Sequence, residues 1–87
     1  MSKKIVGIIQ PFDIHQNFYV YENGNKLEIM KPKLDEMVDT IFAFSNKFEV
    51  NQVDLVGPKQ YLKGLTKQIK AEEVKRYNKE KLEINIV

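Results

Sequence analysis

The chain opens on Ile5-Val6-Gly7-Ile8-Ile9, a run with no polar position that is closed by Pro11. A continuous, β-branched run of this kind predicts a strand buried on both faces near the middle of a sheet. The pattern then changes to alternation. Phe18-Tyr19-Val20-Tyr21 and Lys26-Leu27-Glu28-Ile29-Met30 flank Asn23-Gly24, a pair that readily takes the positive φ angles of a two-residue type I′ turn, so these segments predict a hairpin. In its first arm Tyr19 and Tyr21 share a face opposite Phe18 and Val20. In its second arm Leu27 and Ile29 share a face, while Lys26 and Glu28 look toward solvent.

After Pro32 the period lengthens. Leu34, Met37, Val38, Ile41, Phe42, Phe44, Ser45 and Phe48 form a largely helical apolar stripe, which predicts a helix from about 33 to 47. Asp35, Glu36 and Asp39 load its N-terminal half, where the helix dipole favours negative charge. Val53-Asp54-Leu55-Val56 reads as a short strand. Gly57-Pro58 stops it and opens a second helix with Leu62, Leu65 and Ile69 on one face. Val74 lies off that stripe, so this helix is expected to end near 72, with 73–79 a frayed end or loop. Leu82-Glu83-Ile84-Asn85-Ile86-Val87 alternates as a final strand. The order is β-β-β-α-β-α-β, and the two helix crossovers place strands in parallel after an antiparallel start. The expectation is an α/β fold with a mixed five-stranded sheet; an α+β sandwich fits the same elements.

Eighty-seven residues suit a single domain, 1–87, with room for one core. At 43% hydrophobic residues, with five Phe and four Tyr, that core needs neither disulfide nor metal. The chain has no cysteine; this excludes thiol catalysis and zinc ribbons and suits a reducing compartment. The opening apolar run is too short for a signal-peptide core or a membrane span, so a cytoplasmic protein is expected, without a membrane partner. The net charge of +2 conceals an asymmetry: residues 1–56 hold six lysines against eight acidic residues, and 57–87 hold eight basic residues against four glutamates.

Catalytic chemistry is hard to assemble from these residues. His15, the only histidine, stands beside Asp13 with no nucleophile or further ligands near it in sequence. Ser2 and Ser45 lack the context of a nucleophile elbow. Gly57-Pro58-Lys59 sits where α/β proteins bind anions on a helix N-terminus, but Pro58 removes one donor and no phosphate-loop motif is present, so it reads as a plain turn. No catalytic, cofactor or metal site is therefore expected. Two surfaces remain. Lys59, Lys63, Lys67 and Lys70, spaced four, four and three apart, form a cationic helical stripe that Lys75 and Arg76 are expected to extend. Such a stripe is either a solvated face or a track for phosphates. Tyr19 and Tyr21 are either covered by the first helix or available to a partner, since aromatic pairs are enriched at interfaces. The last strand, with Ile84 and Ile86, carries no lysine, proline or bulge to protect an edge and is expected to be internal or paired with another chain.

The element order resembles the core of the RNase H-like superfamily. VGIIQP and VDLVGP are similar to the strand-one and strand-four patterns of its resolvase-type branch. The resemblance implies a carboxylate cluster holding two divalent metals. The strand-one aspartate of that family falls on Gln10 or Ile9 here, Glu36 and Asp54 take acidic positions, and no residue supplies the last member, so the resemblance implies a degenerate site. KKIVGIIQPF is also similar to the opening of the P-II nitrogen-regulator family, and LEINIV to one of its strands. That family continues into a helix where this chain reads as a hairpin, so this resemblance ends with those residues. The Lys/Asn/Ile-rich texture is similar to small accessory proteins of phages and mobile elements in low-GC Gram-positive bacteria. The sequence thus points to a non-catalytic interaction protein that is homo-oligomeric, its protein partner unnamed. A nucleic-acid accessory protein is the alternative, and a metal-dependent nuclease remnant ranks last.

Overall fold

The structure, a computed structural model, describes residues 4–9, 17–22, 24–30, 33–76 and 81–87. Seven elements follow in the expected order: β1 (Ile5–Ile9), β2 (Phe18–Glu22), β3 (Asn25–Ile29), α1 (Leu34–Phe48), β4 (Gln52–Val56), α2 (Lys59–Lys75) and β5 (Glu83–Ile86). They build a mixed five-stranded sheet in the order β3-β2-β1-β4-β5. Within it β2 alone runs antiparallel to its neighbours, and β4 and β5 are parallel to β1. This is the α/β arrangement that the alternation of strand and helix patterns predicts.

The hairpin register follows from its turn. Glu22 pairs with Asn25 across the two residues Asn23 and Gly24, and Gly24 adopts φ 89°. From there the pairs run Tyr21 with Lys26, Val20 with Leu27, Tyr19 with Glu28 and Phe18 with Ile29. Period-two alternation therefore sends Phe18, Val20 and Glu22 to one face with Ile5, Gly7 and Ile9, and Tyr19 and Tyr21 to the other with Val6 and Ile8.

Both helices lie on the first of these faces and pack on each other. Val38, Ile41 and Phe42 of α1 and Leu62, Leu65 and Ile69 of α2 join Ile5, Ile9, Phe18, Val20, Val53 and Leu55 in one buried cluster. Gly7 gives the Phe18 ring room to lie over β1, since a Cβ there would stand 3.0 Å from Phe18 Cζ. At the far end of β4, Gly57 takes φ 155° with its backbone against Ile9; a Cβ would come 2.9 Å from the Ile9 carbonyl oxygen. Only glycine fits that approach. The last turn of α1 closes on Glu49 in the left-handed region (φ 54°, ψ 48°), and the Val50 N–H donates to the Ser45 carbonyl at 3.1 Å, the closing bond of a Schellman-type cap with a buried Val50 behind it.

Three expectations need correction. First, α2 continues to Lys75, capped at Arg76, instead of ending near 72. Val74 is off the buried stripe, at 74% exposure, but Arg76 falls seven residues after Ile69 and so returns to the α1-facing side. There it pairs with Asp39 of α1, also pairs with Glu72 at 3.3 Å, and lies over the Phe42 ring at 4.9 Å. The Asp39 hydrogen bond raises the Arg76 pKa above its ordinary value, against the opposing effect of burial. Second, β5 is an edge strand with no further strand beyond it among the described residues, which overturns the internal position that was one of its two expected placements. Third, β1 is central, as its pattern predicts, yet only one of its faces is fully buried: Val6 and Ile8 are half-buried.

Candidate functional site

The second face of the sheet carries the candidate site. Register sets its side chains in rows that cross the strands. One row runs Lys26, Tyr21, Val6, Asp54 and Asn85 from β3 to β5, and the next runs Glu28, Tyr19, Ile8 and Val56 from β3 to β4. The centre is apolar and aromatic, and Tyr19, Tyr21, Val6, Ile8 and Val56 are all half-buried. Among the described residues no helix packs on this face, since α1 and α2 cover the opposite one. The aromatic pair therefore escapes α1, which covers Phe18 and Val20 instead.

Charges of both signs rim the apolar centre. On the β3 side the Lys26 ammonium lies over the Tyr19 and Tyr21 rings, 5.1 and 5.8 Å from their centroids, and the Asn17 amide donates to Glu28 Oε1 at 3.4 Å. A cation over an aromatic face holds the ring and offers its charge at the rim. On the other side Lys4 pairs with Asp54 at 3.2 Å. A groove of about 210 Å³ lined by Lys4, Gln52, Asp54, Glu83, Ile84 and Asn85 opens there. It is smaller than the roughly 300–1,000 Å³ that small-molecule sites occupy, so a broad, flat contact suits this face better than a pocketed ligand. With Lys4 and Lys26 against Glu28, Asp54 and Glu83, the described residues of this face have no positive excess to offer a polyanion.

The four residues expected to meet a partner do not come together. Tyr19 and Tyr21 belong to the open face. Ile84 and Ile86 pair with Val53 and Leu55 on the helix side, at the far edge of the sheet. Ile84 packs partly into the core, and Ile86 remains 37% exposed. The carboxylates aligned by the nuclease resemblance are also apart: Asp54 looks out of the open face beside Val6, whereas Glu36 is exposed in the first turn of α1 on the other side of the sheet. They do not form one cation site. Gln10, Asp13 and His15 lie outside the described residues.

The lysine stripe divides into two parts. Lys59, Lys63, Lys67 and Lys70 fall within an arc of about 80° on α2 and are all exposed, but Lys70 donates to the Leu82 carbonyl and stands 3.9 Å from Glu73. Lys75, at a different azimuth, stands 3.9 Å from Glu72, and Arg76 faces α1. The expected extension of the stripe through Lys75 and Arg76 is therefore absent, because α2 continues past 72 and its rotation carries both residues off the arc. Lys59, Lys63 and Lys67 have no ion-pair partner among the described residues.

Sequence reasoning missed Val6, Ile8 and Val56 as surface residues. For Val6 and Ile8 the signal was present in the unbroken apolar run of β1, which implies two dry faces where the described helices cover one; Val56, on β4, carried no such signal. Comparison with protein-family models, curated proteins and solved structures returns no match. No helix among the described residues is long and apolar enough to cross a membrane.

Proposed function

We propose that the chain is a non-catalytic interaction module that self-associates by stacking the open faces of two sheets. One observation carries the reading: among the described residues, a central strand with the composition of a strand buried on both faces is covered by helices on only one. Stacked sheets pack about 10 Å apart with their inner side chains interdigitated, which would bury Val6, Ile8, Val56 and the two tyrosines. A second copy is the occupant that the rim favours. Each side of the face carries both signs, Lys26 and Glu28 on one, Lys4, Asp54 and Glu83 on the other. A two-fold contact can therefore set unlike charges opposite each other. The absence of cysteine suits a reducing compartment, and we take the cytoplasm as its place of action. The RNase H-like resemblance enters this reading only as a proposed topological kinship. The opposed placement of Glu36 and Asp54 weighs against a nuclease role.

Light scattering on the eluting protein tests the proposal. The native chain is expected to elute as a dimer, and Tyr19→Glu with Tyr21→Glu as a folded monomer. A native monomer at high protein concentration, or a double variant that remains dimeric, would refute it.

A further inference from the structure

Lys59, Lys63 and Lys67 begin at the first residue of α2, immediately after Pro58, and the first turn of that helix holds no acidic residue. Here the usual preference is inverted: α1 has Asp35 and Glu36 at its start, whereas α2 places Lys59 at the positive end of its own dipole. Nothing in the folding of α2 requires this. Its buried stripe is complete in Leu62, Leu65 and Ile69, and a lysine in the first turn, such as Lys59, costs stability. Three cations on one arc, each a turn above the last, rise over about 12 Å. Each strand of a duplex presents a phosphate about every 3.4 Å along the axis, so that span faces roughly three of them.

We propose that the N-terminal half of α2 docks on the phosphodiester backbone of nucleic acid through Lys59, Lys63 and Lys67. The contact is independent of base sequence, because ammonium groups on phosphates position a protein without reading bases. A lipid surface fits less well. An interfacial helix presents an apolar face beside its lysines, whereas the apolar side of α2 is committed to the core and leaves Tyr61, at 46% exposure, and Val74 as its exposed large apolar residues. The surface lies on the helix side of the sheet, so the inference stands apart from the self-association proposed above.

Fluorescence anisotropy with a short labelled DNA duplex, read over a salt series, tests it. Three phosphate contacts predict a slope of log K against log salt near −2.7, or about a 40-fold loss of affinity between 50 and 200 mM salt. Lys63→Gln with Lys67→Gln removes two contacts and is expected to flatten the slope by about 1.8. Lys63→Glu with Lys67→Glu is expected to lower affinity at least tenfold. Lys47→Glu with Lys75→Glu, equal in charge change but off the arc, is expected to leave binding within about twofold, since distant exposed charges are screened. Circular dichroism of each variant checks that α2 is intact. Equal losses in the two glutamate variants, a slope near zero, or binding to anionic vesicles with none to duplex would overturn the proposal.

Discussion

The two faces of this sheet are made by the same strands, and alternate residues of one strand have opposite fates. On β2, Phe18 and Val20 are wholly buried under α1, whereas Tyr19 and Tyr21, one residue along, stand on a face that no helix among the described residues covers. On β1 the contrast is sharper, because both sets are apolar: Ile5 and Ile9 are core, Val6 and Ile8 half-buried. In monomeric antiparallel segments a solvated face is usually marked by polar residues. β3 follows that rule with Lys26 and Glu28; β1 does not. The difference separates a face finished by intramolecular packing from one that the described helices leave open, which is the face proposed above to self-associate.

Substitutions on the two faces turn that contrast into numbers. Phe18→Ala removes a fully buried ring and is expected to cost about 3–5 kcal/mol of folding stability. Tyr19→Ala, read by urea denaturation at a dilution where the chain is monomeric, is expected to cost under about 1 kcal/mol, as for a surface position. Equal costs would erase the distinction between the faces. Gly57→Ala places a methyl against the Ile9 backbone at a φ that side chains rarely adopt, and is expected to cost about 2–3 kcal/mol, lowering the thermal midpoint. Such a loss would show that the covered face depends on how closely β1 and the β4–α2 turn approach.

Smaller effects refine the picture. Ser45 is buried in α1, and its hydroxyl has no hydrogen-bond partner among the described residues. Ser45→Ala deletes an unsatisfied polar group and adds a better helix former, so stability is expected to rise by about 0.5–1.5 kcal/mol. Arg76→Ala removes a largely exposed ion pair and a cation over Phe42, and is expected to cost about 1 kcal/mol by the same denaturation measurement.

Much of this architecture is legible in the sequence because it is written locally. Asn23-Gly24 sets the hairpin register, the apolar stripe from Leu34 to Phe48 sets α1, and Gly57-Pro58 marks the boundary between β4 and α2. What depended on tertiary contact was read less well. The end of α2 rests on Arg76 reaching Asp39, a residue 37 positions away, and no stripe within α2 announces that. The lysine surface could be located but not delimited, since the bond from Lys70 to the Leu82 carbonyl forms only when the chain returns beside α2. The apolar run of β1 rightly placed that strand at the centre of the sheet and overstated its burial, since Val6 and Ile8 are only half-buried. Sequence periodicity does not say which face of a strand the helices will cover.

The self-association of the open face is the central claim, and fluorine NMR of protein labelled with 3-fluorotyrosine tests it residue by residue across a dilution series. The account predicts that the Tyr19 and Tyr21 resonances shift together with protein concentration, following one dissociation constant, while Tyr61 on α2 stays fixed. Resonances of Tyr19 and Tyr21 that do not move at any concentration, or a shift confined to Tyr61, would contradict it.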